Sequence, residues 1–268
     1  MKRFRYSHLP VMLGFALTVA PVAALASPNP TSAVIIERVY NDCPGSTLIT
    51  SNLYPASITI SDDAENTCTA WANLHVWRFS EDGSNPAQFM NGDVFHFSAD
   101  LVIDGPGQGE AGLQISPWWS PLVEGRLNIR TTDGEIAAFG GVLPYFNFTS
   151  TYGLHYVKGT PIHVEINYVP HSNTQQDPAT IEYKLVYGGQ PYTSGPLAFG
   201  NCTPSEEPTF GCYGILNFAT VGGHLQPLFA LGGNQEIHAI WSNIQYSPSD
   251  KPVAATPTSW GRLKTLYR

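Results

Sequence analysis

Apolar and polar residues alternate along short segments between about Ala33 and Tyr246, and clusters of turn residues separate these segments. Successive side chains of a β-strand point to opposite faces, so strict alternation predicts a strand with one buried face and one solvated face. The clearest segment is 94–104, where every second position is apolar: Phe95, Phe97, Ala99, Leu101 and Ile103. We expect this row to enter the core.

The same alternation predicts further strands at 110–116, 126–130, 162–168, 181–187 and 236–246. No amphipathic stretch with a helical period exceeds two turns in this region. Many short strands with no helices between them predict an all-β sandwich or barrel. A segment of this length suits one large sandwich at 33–246. Two immunoglobulin-sized units are the alternative, although no linker near the middle separates them.

The first 26 residues have the pattern of a secretory signal peptide. Lys2, Arg3 and Arg5 precede an apolar run from Leu9 to Ala26 that ends in a small-x-small pattern. A basic start, an apolar stretch and such a site predict export and cleavage, with an uncleaved anchor as the alternative. Cleavage would lower the formal net charge from −8 to −11. Residues 27–32 then form a short polar leader.

Composition narrows the class of protein. Charged residues are only 13% of the chain, against roughly 25% in typical soluble proteins, while 43% are hydrophobic. This apolar content excludes a disordered chain. The 13 basic residues face 21 acidic ones, so the balance argues against nucleic acid as a partner.

Four cysteines indicate an oxidising compartment. An even number in an exported chain predicts two disulfides, for which three connectivities are possible. We favour Cys43–Cys68 and Cys202–Cys212, because each pair closes a local, turn-rich segment. Their spacing does not suggest zinc.

The last 22 residues differ from the predicted sandwich. Residues 247–259 are rich in proline, serine and threonine and are interpreted as a linker. The segment 260–268 carries Trp260 and the basic residues Arg262, Lys264 and Arg268. One interpretation is a tail that docks the protein to the cell envelope; the other is a frayed end or a last packed element.

The stretch from about 93 to 246 resembles the concanavalin A-like lectin/glucanase superfamily. The likeness is carried by the strand at 94–104, by GEAGLQISPWW at 109–119, by the strands at 126–130 and 135–139, and by IHAIWSNIQY at 237–246. The resemblance implies a two-sheet antiparallel jelly-roll sandwich with a concave face that holds a glycan. The Glu-x-Asp-x-x-Glu strand of laminarinase-type enzymes and the Arg-x-Glu-x-Arg strand of jelly-roll alginate lyases are absent.

A polar row on two of these strands is the first candidate ligand site. If 109–116 and 124–131 pair as antiparallel neighbours, one face carries five side chains: Glu110, Gln114, Arg126, Asn128 and Arg130. Amide and guanidinium groups hydrogen-bond sugar hydroxyls and carboxylates. We expect His163 and Glu165 to join this face. The alternative is a solvated sheet face with a weak cross-strand ion pair.

Aromatic side chains are the second candidate. Trp118 and Trp119 follow Pro117, and exposed rings stack on the apolar faces of sugars. Packing of a loop over the sandwich edge is the alternative. Four other aromatic residues are candidate companions: Trp71, Trp77, Tyr145 and Tyr156.

Catalysis is an open alternative on sequence grounds. A polysaccharide lyase needs a histidine or tyrosine base beside groups that neutralise a carboxylate, and His155 or Tyr156 with Gln114, Arg126 and Arg130 supply these types. His163 is a further candidate base. A hydrolase needs two carboxylates, for which Glu110 is the first candidate, with Glu135 or Glu165 as partner.

No cofactor is predicted, although the acidic clusters at 62–66 and 81–83 contain oxygen ligands that calcium accepts. Solvated turns are the alternative for both. Taken together, the sequence predicts secreted recognition of an oligosaccharide or polysaccharide, with no transmembrane span after signal cleavage. A polysaccharide lyase or glycoside hydrolase is the first alternative, and a structural protein of the cell envelope is the second.

Overall fold

A computed structural model describes residues 27–64, 68, 70–117, 124–200, 211–229 and 235–248. The proposed signal peptide, Trp118, Trp119, Cys202 and the 260–268 tail lie outside these residues.

The described chain is almost entirely β-structure, as the alternation predicts. The strands, in chain order, are β1 (Ser32–Asn41), β2 (Thr47–Leu53), β3 (Ser57–Asp63), β4 (Asn73–Ser80), β5 (Phe95–Asp104), β6 (Gly109–Pro117), β7 (Gly125–Arg130), β8 (Ile136–Phe139), β9 (Phe146–Asn147), β10 (Ile162–Val169), β11 (Thr180–Tyr187), β12 (Gln190–Thr193), β13 (Leu197–Ala198), β14 (Ala219–Pro227) and β15 (Ile237–Ser247). One short helix, α1 (Phe148–Tyr152), follows β9. None of the described helical residues forms an element long and apolar enough to span a membrane.

The strands form two antiparallel sheets that pack face to face. Sheet A has the order β1-β4-β14-β6-β7-β8-β9. Sheet B has the order β12-β11-β10-β5-β15-β3-β2, with β13 also paired to β11. The prediction of an all-β, two-sheet antiparallel jelly-roll sandwich is confirmed. Every strand predicted from the alternation is present to within a few residues of its predicted ends.

Aromatic rings from both sheets meet in the core. Trp77 of β4 lies 5.7 Å from Phe97 of β5 and 6.1 Å from Trp241 of β15, measured between ring centroids. All three side chains are fully buried, and Phe97 belongs to the apolar row predicted for β5. Burying such rings supplies much of the driving force that holds the two sheets together.

Residues of the leader form hydrogen bonds to the sandwich, and one disulfide links two of its loops. Ser27 donates a hydrogen bond to Asp93, and Tyr246 of β15 donates one to the carbonyl of Pro28. The predicted disulfide Cys43–Cys68 is present, with a Cα–Cα distance of 5.7 Å. Cys212 is also disulfide-bonded, and its predicted partner Cys202 lies outside the described residues.

Candidate functional site

Strands β6 and β7 bring the predicted polar row together on the outward face of sheet A. Their antiparallel register places Gln114 opposite Arg126 and Glu110 opposite Arg130. Residues on the alternate positions, such as Leu113 and Leu127, are paired with each other and enter the core. The predicted pairing of these two strands is confirmed.

Strand β14, which was not predicted individually, lies next to β6 on this face. It separates β4 from β6, and Gly222 is the register partner of both Arg78 and Gln114. Alternate strands of a sheet are about 10 Å apart, so a side chain at position 222 would lie between these two residues. Because glycine leaves the space open, Arg78 Nη2 donates to Gln114 Oε1 at 2.6 Å.

A second glycine opens a similar gap in the neighbouring row of side chains. Gly112 of β6 is the register partner of His224 on β14 and of Asn128 on β7. Across this gap, His224 Nε2 lies 2.9 Å from Asn128 Oδ1. The two rows thus connect side chains on four strands.

Two further side chains complete the arrangement. Gln226 of β14 accepts a hydrogen bond from Arg126 Nη1 at 2.7 Å, and Glu110 Oε2 lies 3.7 Å from the same nitrogen. Glu124, one residue before β7, bridges the amide of Gln114 and the guanidinium of Arg126 with its two carboxylate oxygens. We call these neighbouring side chains together the polar network: Arg78, Glu110, Gln114, Glu124, Arg126, Asn128, His224 and Gln226.

Six of the eight members of the polar network are buried, although they lie on an outward sheet face; the side chains of Glu110 and Glu124 are each 17% exposed. Gln114 is 1% exposed, Arg126 5% and His224 0%. The alternative of a solvated sheet face is therefore wrong for Gln114 and Arg126, and His224 was not part of the predicted row. Buried polar atoms are normally hydrogen-bonded, yet Arg126 Nε and His224 Nδ1 have no partner within the part of the chain that the structure describes. Each unpaired group of this kind costs about 1–3 kcal/mol.

The protonation state of the network follows from its burial. Burial, followed by the charges of Arg126 and Arg78, lowers the pKa of His224 well below its usual value. His224 is therefore neutral, and because Asn128 Oδ1 accepts from Nε2–H, its Nδ1 carries a free lone pair. Burial also raises the pKa of Glu124, and the opposing effect of Arg126, Arg78 and Gln114 does not cancel it.

Exposed side chains border the network on the β8–β9 side. Phe139 is the register partner of Arg126 and therefore projects from the same face; it is 36% exposed. Tyr145 is 66% exposed, and its hydroxyl lies 3.1 Å from Asn147 Nδ2. Asn147 also donates to Glu135 at 2.9 Å. Phe139 was not predicted as a site residue, although its alternation with Ala138 placed it on the outward row.

Arg130 lies at the end of this border. It forms ion pairs with Asp133 at 2.5 Å and with Glu135 at 2.9 Å. Its side chain is turned toward these two carboxylates, and its hydrogen bonds involve no member of the polar network.

The aromatic residues proposed as companions of Trp118 and Trp119 separate into two groups. Trp77 and Tyr156 are buried, and the hydroxyl of Tyr156 accepts from the backbone N–H of Ile103 at 2.8 Å. Trp71 and Tyr145 are 60% and 66% exposed. Only Tyr145 of these four lies beside the polar network.

The four proposed catalytic residues do not lie together. Glu110 belongs to the polar network, whereas His155 is exposed on a loop with Nδ1 2.9 Å from the carbonyl of Asp133. The hydroxyl of Tyr156 is hydrogen-bonded to backbone groups of Ile103 and Thr160. His163 lies on β10 of sheet B, and the expectation that it shares a face with Glu110 is wrong. Glu165 is on the same strand of sheet B, so it cannot pair with Glu110 as a hydrolytic carboxylate.

His163 instead belongs to a row of histidines and carboxylates on the outward face of sheet B. Its Nδ1 lies 2.6 Å from Asp100, and its Nε2 lies 3.3 Å from Glu165. Glu165 also contacts His96 at 3.2 Å, and Asn243 donates to Asp100 at 2.6 Å. We call His96, Asp100, His163 and Glu165 the His–acid row.

The acidic clusters considered for calcium make contacts within the protein. Asp62 is fully buried and accepts hydrogen bonds from Asn73 and His75, each at 2.8 Å. Asp82 accepts from the backbone N–H groups of Ser84 and Asn85 and so stabilises a turn. Among the residues that the structure describes, no group of three or more His, Cys, Asp or Glu side chains is arranged to hold a metal ion.

Comparisons with known proteins give likenesses of structure. No protein-family model and no curated protein matches the chain. Arcelin-5, a lectin-like defence protein from Phaseolus vulgaris, is 12% identical with a TM-score of 0.42, over 81% of this chain and 98% of that chain. An alginate lyase from Corynebacterium sp. is 8% identical with a TM-score of 0.43, over 81% of this chain and 94% of that chain. The carbohydrate-binding module CBM66 from Bacillus subtilis is 9% identical with a TM-score of 0.38, over 76% and 95%.

Proposed function

We propose that the outward face of sheet A binds an oligosaccharide or polysaccharide and that recognition, without chemistry, is its function. The observation that carries this proposal is the buried polar network with two unpartnered atoms, Arg126 Nε and His224 Nδ1. An outward sheet face has no structural need for such a network, and its unpaired groups reduce stability. Hydroxyl groups of a sugar both donate and accept, so they match a free N–H and a free lone pair.

The border of the network supports the same proposal. Phe139 and Tyr145 expose aromatic surface directly beside the buried polar groups. Aromatic rings bind the apolar faces of sugars with little loss of conformational entropy, while nearby amides and guanidinium groups bind the hydroxyls. Trp118 and Trp119, which follow β6 in the sequence, are proposed to add to this surface, as are Asn128 and Arg130.

A glycan array compares the wild type with Tyr145→Ala and with Trp118→Ala/Trp119→Ala. We expect the wild type to bind at least one glycan and the variants to lose about tenfold or more in affinity, since a stacking contact is removed. Trp71→Ala is the matched control, because Trp71 is 60% exposed, against 66% for Tyr145, and precedes β4, which is four strands away from β8 in sheet A. Absence of binding to every glycan would refute the proposal.

A polysaccharide lyase is the second candidate, favoured by the neutral His224. Its free Nδ1 lone pair lies among guanidinium groups that can neutralise a uronate carboxylate. The base would take the proton from the carbon beside the carboxylate, a carbon–carbon double bond would form as the glycosidic C–O bond breaks, and the departing oxygen would take a proton from water. The substrate would have to reach a side chain that is fully buried in the free protein, so we place this candidate second.

Ultraviolet absorbance of the unsaturated product tests the lyase. Incubation with uronate-containing glycans should increase the absorbance with the wild type and not with His224→Gln. A parallel assay of reducing ends with neutral glycans detects a hydrolase. No product in either assay, with glycan binding intact, would leave recognition as the function.

Export is proposed together with this function. The disulfide Cys43–Cys68 supports an oxidising compartment. We propose that residues 260–268 dock the protein to the cell envelope, because they are basic in an otherwise acidic chain. Deletion of residues 247–268 should then release the protein into the medium; retention in the envelope would contradict docking by the tail.

A further inference from the structure

The carboxylate of Glu124 occupies the position where the polar network offers its donors. One carboxylate oxygen accepts from the amide of Gln114, and the other accepts from the guanidinium of Arg126. These two groups are also among those that the proposed carbohydrate site would present to a ligand.

The donors around this position are fixed without Glu124. Gln114 Oε1 accepts from Arg78, which is itself held by Thr220 Oγ1 at 2.9 Å. Arg126 Nη1 donates to Gln226 at 2.7 Å. Removal of the Glu124 side chain therefore leaves a pre-organised cradle in which the Gln114 amide and the Arg126 Nη2 still point at the vacated position.

Glu124 is the member of this contact that can leave most easily. Its side chain is 17% exposed, whereas that of Arg126 is 6% exposed. The Glu124 carbonyl lies against the turn at Gly140, close enough that a Cβ added there would collide with it. Because the Glu124 side chain is more exposed than that of Arg126, it is the one that can turn toward solvent.

We propose that Glu124 is an internal ligand that occupies the cradle in the free protein and is displaced when a polar group of the carbohydrate binds. The displacement rests on the proposed function, because that function supplies the displacing ligand. The occupation of the cradle by the Glu124 carboxylate is independent of it. The contact is autoinhibitory, because the apparent affinity of a site equals its intrinsic affinity multiplied by the fraction of time that the site is open. Occupation of the cradle by Glu124 lowers that fraction. The raised pKa of Glu124 agrees with this role, since its carboxylate is less well stabilised than in water.

Acetate tests the cradle without any glycan. Glu124→Ala keeps Cβ, and acetate supplies the missing methylene carbon and carboxylate. We expect Glu124→Ala to melt at a lower temperature than the wild type and acetate, compared with chloride at equal ionic strength, to restore some of the loss. Glu182→Ala is the matched control, because Glu182 is 23% exposed and paired with Lys184 on the other sheet. An acetate effect no larger than in the control would overturn the inference.

Binding of a glycan identified on the array tests the displacement. Glu124→Ala should bind about tenfold more tightly than the wild type, and the isosteric Glu124→Gln should lie between them. Glu124→Gln also serves if the alanine variant does not fold. Weaker binding by both variants would make Glu124 a direct ligand contact and overturn the displacement. If no glycan binds to any variant while acetate rescues Glu124→Ala, the proposed function fails and the occupied cradle stands.

Discussion

The two outward faces of the sandwich carry similar residue types in opposite environments. On sheet B, each member of the His–acid row has a charged partner, and three of the four are partly exposed: Asp100 is 36% exposed, His163 28% and Glu165 24%, whereas His96 is buried. On sheet A, six of the eight members of the polar network are buried, and Arg126 Nε and His224 Nδ1 have no hydrogen-bond partner among the described residues. The first arrangement satisfies itself, whereas the second has unused hydrogen-bonding capacity. That difference is why we place the ligand site on sheet A.

Two histidines show how strongly the surroundings decide the chemistry. Burial tends to lower the pKa of His163, but hydrogen bonds and charges from Asp100 and Glu165 raise it to about 9. Burial and two nearby guanidinium groups move the pKa of His224 in the other direction. His163 is accordingly a cation held between carboxylates, and His224 is a neutral acceptor.

Removal of Arg126, the cation at the centre of the polar network, should show the largest difference in stability between the two sheet faces. Arg126→Ala removes a guanidinium that is 6% exposed and leaves the largely buried carboxylates of Glu124 and Glu110 without their nearest counter-charge. Breaking a buried ion pair by removing one partner costs about 3–5 kcal/mol of stability. On sheet B, Lys184→Ala removes a cation that is 33% exposed, and we expect at most about 1 kcal/mol. Urea denaturation of both variants measures the contrast; equal costs would contradict the assigned burial.

A smaller effect should follow from filling a glycine gap. Gly112→Ala places a Cβ against the backbone carbonyl of Leu127 and into the space between His224 and Asn128. Overpacking of this kind costs about 1–3 kcal/mol, and we expect affinity for a glycan to fall as well. Gly45→Ala is the control, because an added Cβ there meets no atom within 4 Å. Urea denaturation and glycan binding report the two effects. A Gly112→Ala variant as stable as the control would show that the gap is not needed.

The sequence predicted the strands well, because alternation over five or more residues leaves little choice of which face each side chain takes. β5 and β10 follow the predicted rows, and the outward positions of Gln114 and Arg126 were identified from spacing alone. β14 was not identified individually, since Gly222 and Gly223 interrupt its alternation and resemble a turn signal.

The candidate site was only partly predictable, because one of its strands, β14, was not identified from the sequence. Without β14, sequence reasoning had no route to His224, which contributes the free lone pair to the network. Sheet order was also out of reach, so His163 was assigned to the wrong face. Burial of Gln114 could not be foreseen, because alternation shows which way a side chain points and not what covers it. The pairing Cys43–Cys68 was predictable because the two residues close a short loop.

The smallest effect concerns pH and distinguishes the His–acid row from the polar network. A histidine whose pKa is raised on folding stabilises the protein fully below its unfolded value of about 6.5. That contribution is lost as the pH rises through the folded value of about 9. The wild type should therefore be more stable than His163→Gln by a constant amount below about pH 6.5. This difference should decrease between about pH 6.5 and pH 9. It should also decrease in the acid range, where Asp100 and Glu165 become protonated.

Thermal denaturation between pH 6 and pH 10, the range over which a histidine with this shift titrates, measures that difference, roughly 1 kcal/mol at most for a partly exposed pair. The groups that face His163 are Asp100, Glu165 and, one strand away, Lys184, and they are present in both proteins. Ser98→Ala, on the same outward face, removes no titratable group and should give a flat difference. If His163→Gln gives a flat difference too, the row does not hold a cation, and the contrast with the neutral His224 of sheet A disappears.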